Sequence, residues 1–167
     1  MPSVELFTVR AASWDTDRAD LTHLRRTVFI EEQRVPEHEE WDSADPVSIH
    51  ALACTANRDA VGTGRLEPLG KIGRIAVLTT HRGIGVGARI LRWLIEEAAR
   101  RGLKAVYLHA QTHALPFYQR FGFVAEGAVF DEVGIPHQLM RLELSTHDRP
   151  REEAQRHGKP HDPDHPR

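Results

Sequence analysis

Apolar residues recur along this chain with two different spacings, and the changes between them divide it into strands and helices. Residues 5–11, ELFTVRA, have a strand-like composition that ends at the polar Ser13 and at Asp15 to Asp17. Leu21, Leu24 and Val28 fall at i, i+3 and i+7, which predicts an amphipathic helix over 19–33 with Arg25 and Arg26 to its sides. Pro36 ends it, because the residue before a proline is driven out of the helical region. Strands are predicted over 48–55 and 61–66, joined by the turn Ala56-Asn57-Arg58-Asp59. Gly62 and Gly64 weaken the second of these but suit the close approach of another backbone or a ligand. A turn over 68–73 leads into a further strand over 74–78, which carries Ile75-Ala76-Val77-Leu78. Ile90, Leu91, Leu94, Ile95, Ala98 and Ala99 then mark one face of a long helix, stopped at Gly102 after Arg100 and Arg101.

A strand over 105–110 follows, then a short helix with Leu115 and Tyr118, closed by Gly122. Two extended pieces, 124–126 and 137–144, complete the pattern, with a turn at Gly127 and Gly134-Ile135-Pro136 as the turn between them. Residues 1–144 therefore read as one domain. From 145 to 167, STHDRPREEAQRHGKPHDPDHPR has no hydrophobic period and reads as a disordered polar tail. The spacing of His147, His157, His161 and His165 within it matches no fixed metal geometry, and no metal site is expected.

Between the 74–78 strand and the long helix lies Arg82-Gly83-Ile84-Gly85-Val86-Gly87. Glycines at a helix start leave backbone N–H groups uncovered, and with the positive end of the helix dipole these make an anion site suited to phosphate. No Lys-Ser or Lys-Thr follows, as a P-loop would require. The G-x-G-x-x-A reading suits a dinucleotide-binding oxidoreductase, but the next strand ends at His109-Ala110 without the carboxylate that such a fold places on the ribose.

Composition narrows the classes further. At 167 residues with 40% hydrophobic and 28% charged positions the chain is an ordinary globular domain. A net charge of −2 offers no footprint for nucleic acid, and no apolar run approaches the roughly 18 residues of a membrane span. The single Cys54 builds no disulfide framework and reads as a buried strand residue, which together with the absence of a signal pattern implies a cytoplasmic protein. Residues 31–45, EEQRVPEHEEWDSAD, crowd carboxylates around one tryptophan, either as a solvated acidic loop or as a lip that attracts a cationic amine.

Arg82-x-x-Gly85-x-Gly87 resembles the pyrophosphate motif of the GNAT N-acetyltransferase superfamily, and Phe117-Tyr118-x-x-Phe121-Gly122-Phe123 is a second match in the right order. Val28-Phe29-Ile30-Glu31-Glu32-Gln33 with Pro36, Asp42 and Asp45, then Ala110-Gln111 and Gly134-Ile135-Pro136-His137, resemble its ElaA-like and YjcF-like branch. The resemblance covers about residues 4–144. It implies an α/β domain of the α+β type, with a mixed, mostly antiparallel twisted sheet splayed between two parallel central strands and helices on both faces.

It further implies acetyl-coenzyme A as acyl donor and a primary amine, small molecule or peptide, as acceptor. The pyrophosphate would rest on the amides of Gly83, Ile84, Gly85, Val86 and Gly87 beside Arg82. Ala76 and Val77 would hold the pantetheine arm through backbone groups, and Gln111 would stand beside it where many members have asparagine. Arg89 and Arg92 read as solvated helix positions. Direct attack by the amine would put negative charge on the carbonyl oxygen, near a backbone N–H at Val77, and Tyr118 would protonate the leaving sulfur. For the base, Glu31, Glu32, Asp42, His50, His109 and His137 qualify by type, with Glu32 and His137 in motif-like positions. A homodimer stays open as the assembly, and a non-catalytic sensor of acyl-coenzyme A stays open as the alternative function.

Overall fold

The structure, a computed structural model, describes residues 6–145; the tail from 146 on, with its histidines, lies outside the described residues. β1 (Phe7–Ala12), β2 (Ile49–Thr55), β3 (Ala60–Leu66) and β4 (Ile72–Val77) form an antiparallel sheet in that order. β5 (Ala105–Gln111), β6 (Val124–Glu132) and β7 (Ile135–Glu143) form a second, in the order β5-β7-β6. No helix among the described residues is long and apolar enough to cross a membrane.

Alternation along β2 and β3 explains how both faces of the first sheet are covered. Ala51 and Ala53 lie opposite Gly64 and Gly62, so the middle of one face is small residues, and onto it packs α3 (Val86–Arg100) through Ile90 and Leu94. Leu52 and Thr63 share the other face, where Leu21 and Leu24 of α1 (Arg18–Arg25) form a second apolar cluster with Leu52. The close approach that the glycines allow is thus made by a helix. A Cβ at Gly64 would stand 2.7 Å from Ile90 Cγ2 and 2.9 Å from Leu94 Cδ1, both of them fully buried. Gly64→Ala is therefore expected to overpack this layer and to lower the unfolding free energy by about 1–3 kcal/mol, read as an earlier urea midpoint.

Five sequence expectations change. The helix over 19–33 is α1 followed by a π-helical turn, Arg26–Glu32, in which Gln33 N donates to Val28 O at 3.1 Å. Arg25 does not lie to the side: its side chain is 1% exposed. β4 begins at Ile72, inside the expected turn. β6 runs unbroken past Gly127 with a register shift, and the β6–β7 turn is Val133-Gly134, both at positive φ (49° and 77°), with Ile135 and Pro136 already in β7. Two successive positive φ angles match the right-handed twist of the flanking strands.

Candidate active site

β4 and β5 run parallel and touch at one end only. Lys71 bridges Tyr107, and Tyr107 N donates to Gly70 O at 3.1 Å. Gly70 is required there, since its φ is +104° and a Cβ would stand 2.8 Å from Ala105 O. Past this junction the strands belong to different sheets, and a cleft of about 470 Å³ opens between them, lined by Ile75, His109, Gln111, Tyr118, Glu132 and His137 among others.

The β4 wall presents backbone to the opening. Arg65 pairs with Gly73 and Thr63 with Ala76, so Gly64 faces both Arg74 and Ile75 in a bulge, with Arg74 in the left-handed region at φ 51°. Leu78 N donates to Val61 O on the β3 side at 2.9 Å. Amides alternate along a strand, so the Val77 N–H and C=O point the other way, into the gap left by β5. Arg82 Nε donates to that Val77 carbonyl at 2.9 Å.

The glycine turn is exposed. At Gly83 (φ 81°) and Gly85 (φ 90°) a Cβ would meet nothing within 4 Å, so backbone conformation alone demands glycine. Val86 is buried and anchors the helix start, while Gly87 faces Val77 and Phe117 at ordinary contact distance. The first α3 hydrogen bond is Arg89 N to Gly85 O at 3.0 Å, which leaves the amides of the preceding turn without helical partners. Ile84 is exposed at the tip. Arg82 lies across this turn in a two-point ion pair with Glu32, Nη1 and Nη2 to the two carboxylate oxygens at 2.6 and 2.7 Å. The hydrogen bonds from Arg82 hold the Glu32 carboxyl below its usual range. A carboxylate so engaged is a weak proton acceptor, and its geometry is that of a two-point partner to Arg82.

Tyr118 stands on α4 (Leu115–Gln119) beneath an aromatic cluster, edge-on to Phe117 (5.1 Å) and Phe123 (6.0 Å). Burial pushes its phenol up to about 12, so it holds its proton across the neutral range. Gln111 Nε2 donates to Gln33 Oε1 at 2.9 Å across the cleft mouth. On α3, Arg89 lies over Phe7 and Arg92 over Phe121, each packing its guanidinium on a ring.

The remaining base candidates separate by place. His50 Nε2 bonds Asp45 O at 2.9 Å, and burial lowers its pKa. Glu31 is exposed on the π-helical turn. Asp42 is bound to Arg65 and Arg74 at 2.8 and 3.2 Å. His109 and His137 do line the cleft, joined by Glu132, which sequence reasoning did not single out. The signal that could have singled it out is the register of a hairpin turning at Val133-Gly134.

The acidic segment is neither a solvated loop nor simply a lip. Arg25 donates to Glu40 Oε1 at 2.8 Å and to Asp45 Oδ1 at 2.6 Å, Arg65 to Asp45 and Asp42, and Arg74 to the Glu40 carbonyl at 3.0 Å. Burial raises Glu40; at Asp45 burial acts the same way, but the Arg25 and Arg65 bonds outweigh it and hold the carboxyl low. Glu39 and Asp42 remain on the cleft wall. Cys54 is half-buried in β2 and raised by that burial.

A mixed sheet opened between two parallel strands, with a glycine turn heading the helix behind it, is the architecture of acyl-coenzyme A N-acyltransferases. Residues 23–144 match the acetyltransferase (GNAT) domain. The chain is 39% identical over 127 residues to the uncharacterized N-acetyltransferase YjcF of Bacillus subtilis, across 73% of this chain and 90% of that protein. It is 35% identical over 133 residues to ElaA of Escherichia coli, across 74% of this chain and 86% of ElaA. The crystal structure of Escherichia coli ElaA superposes with a TM-score of 0.73, covering 82% of this chain and 99% of that one. An acyl-CoA N-acyltransferase from Pseudomonas aeruginosa gives 0.72 at 30% identity, covering 81% and 98%. This chain belongs to the GNAT acetyltransferase family, in company with the ElaA and YjcF proteins.

Proposed function

We propose that this protein is a cytoplasmic N-acetyltransferase that moves an acetyl group from acetyl-coenzyme A to a primary amine by direct attack within a ternary complex. The observation that carries this reading is the splay of β4 from β5, which turns the Val77 N–H toward the gap while Tyr118, holding its proton, lines the cleft between the two strands. The donor supplies an activated thioester carbonyl. The exposed amides of the 83–87 turn and Arg82 suit its diphosphate, and the edge of β4 at Val77 suits its amide-bearing arm, with Gln111 opposite; the Ala76 backbone groups, expected to share that role, turn toward Thr63 of β3 instead. The Val77 N–H donates to the carbonyl oxygen as charge develops there, and Tyr118 gives its proton to the departing sulfur. His137 stands at the same opening as a proton acceptor, with Glu32 supporting Arg82.

Coenzyme A is expected to raise the thermal midpoint in a concentration-dependent way, with a micromolar-scale constant. Arg82→Ala should weaken that binding about tenfold, the worth of one charge-assisted contact to phosphate. No shift with either coenzyme A or acetyl-coenzyme A would remove the proposal. A non-catalytic sensor would show the shift but release no thiol with any amine offered.

A further inference from the structure

Glu132 meets two imidazoles on the cleft face of the second sheet. Gln111, His137 and Phe130 lie directly opposite one another across β5, β7 and β6, so they share that face. His109 and Glu132, each two residues away on its own strand, share it too. His109 Nδ1 donates to Glu132 Oε1 at 3.1 Å, and His137 Nε2 faces Glu132 Oε2 at 3.5 Å. His137 Nδ1 donates to Ile135 O at 2.7 Å; a carbonyl only accepts, so the proton is fixed on Nδ1 and Nε2 is the atom free to gain one. Phe130 stands edge-on to His109 (5.1 Å) and stacked beside His137 (6.1 Å), shielding the pair from one side.

The charged groups around the cleft leave Glu132 available. Arg65 and Arg74 line it but are engaged by Asp42, Asp45 and Glu40. Glu39, Glu67 and His113 also face it, and Lys71 lends positive charge to Glu132. Burial works to raise the Glu132 carboxyl, but the His109 hydrogen bond and the positive charge of Lys71 help to outweigh it and hold the carboxyl below its usual range. Its side chain is 42% exposed toward the opening, whereas that of His137 is 7% exposed.

We infer that Glu132 is the seat of the acceptor's primary ammonium group and that His137 Nε2 beside it takes the ammonium proton. The inference rests on the acetyl-transfer reading and names where its acceptor binds. One ammonium N–H bond breaks, its proton passes to His137 Nε2, and the electron pair stays on nitrogen. The nitrogen then bonds the acyl carbon, the C–S bond breaks, and sulfur takes the Tyr118 proton. A second N–H proton restores the phenol, so one proton per turnover leaves by way of the imidazole. Glu132 holds the ammonium first and steadies the imidazolium afterwards.

The test uses the full chain saturated with coenzyme A and three probes, n-butylamine, benzylamine and 1,4-diaminobutane, with n-butanol as the uncharged control. Amine binding should move the ring proton signals of His109 and His137, n-butanol should leave them in place, and Glu132→Gln should abolish the movement while keeping the coenzyme A thermal shift. With any probe that is acetylated, Glu132→Gln should raise the amine KM roughly tenfold at neutral pH, one charge-assisted contact. That deficit should narrow as pH approaches ~10, where alkylamines become neutral. Glu132→Asp should fall between the two. Unmoved histidine signals in the wild type, or an unchanged KM in Glu132→Gln, would overturn the inference alone. Absence of any coenzyme A shift in the wild type would overturn the acetyl-transfer reading and this inference with it.

Discussion

Tyr118→Phe is expected to lower kcat by about 10²–10³-fold while coenzyme A affinity stays within roughly threefold, because general acid catalysis by one positioned group contributes on that scale. The variant removes one oxygen from an aromatic cluster in which Phe117 and Phe123 pack edge-on to the ring, so the fold and the cofactor edge at Val77 are retained. Loss of rate without loss of binding is the signature of an interaction made in the transition state. The phenol sits at about 12, pushed up by burial, so it is a full proton donor at every pH where the protein works. That shift also sets a stability dependence. An acid whose folded pKa is raised contributes stability that is complete below its unfolded pKa, near 10, and is lost as pH climbs toward 12. Wild type should therefore lose about 1.4 kcal/mol for each pH unit in that window relative to Tyr118→Phe, measured by urea unfolding. An unchanged kcat in the variant would assign the proton to another donor.

Periodicity carried the parts of the fold that local rules control. Ile90, Leu91, Leu94 and Ala98 marked the buried face of α3 because a helix on a sheet must hide one stripe, and all four are fully buried. Val106, Leu108 and Ala110 are buried in β5 while His109 and Gln111 turn to the cleft, the two-residue alternation expected of a strand. The helix over 19–33 was less legible, since its apolar spacing runs on through Val28 and says nothing of the wider turn that takes over at Arg26. The hairpin at Val133-Gly134 was misjudged for a local reason: Gly134-Ile135-Pro136 has the stronger turn composition, yet a positive φ at Val133 is imposed by the strands.

The site divides along the same line. Arg82, Gly83, Gly85 and Gly87 stood out because contiguous residues make the exposed glycine turn, and Tyr118 because its motif is contiguous too. Glu132 could not, since its importance comes from cross-strand register with His137 and from the separation of β5 from β4. The pairing of Glu32 with Arg82 spans 50 positions, and no spacing rule reaches so far.

Arg25→Ala is expected to cost about 3 kcal/mol, because it removes one partner from a buried ion network and leaves Glu40 and Asp45 with fewer compensating contacts. The side chain is 1% exposed and bonds Glu40 and Asp45 at 2.8 and 2.6 Å, between Trp14 and Trp41 at 5.6 and 5.0 Å. Arg65 and Arg74 already contact Asp45 and Glu40, at 2.8 and 3.2 Å, and offset part of the loss, but Asp42 engages both and neither replaces the Arg25 fork between the two carboxylates. Arg25→Lys should recover little, because an ammonium cannot bridge Glu40 and Asp45 with a fixed fork. The deficit should shrink on acidification. In the wild type Asp45 titrates below its ordinary 3.8 because the bonds from Arg25 and Arg65 outweigh burial, so its contribution is present above that value and fades as pH falls through the lowered one. Glu40, raised by burial, titrates in the opposite sense, its protonation relieving a buried charge as pH falls toward 4.5. Without Arg25 the Asp45 carboxyl loses its first partner and takes a proton more readily, so the variant's curve flattens where the wild type's declines. Because the same network fixes the Glu39 to Asp42 wall of the cleft, the variant should also raise the amine KM before it changes coenzyme A binding at the distant glycine turn. Urea unfolding from pH 3 to pH 7, paired with steady-state kinetics, separates the two effects; equal stability of Arg25→Ala and wild type at neutral pH would show that the network contributes nothing net.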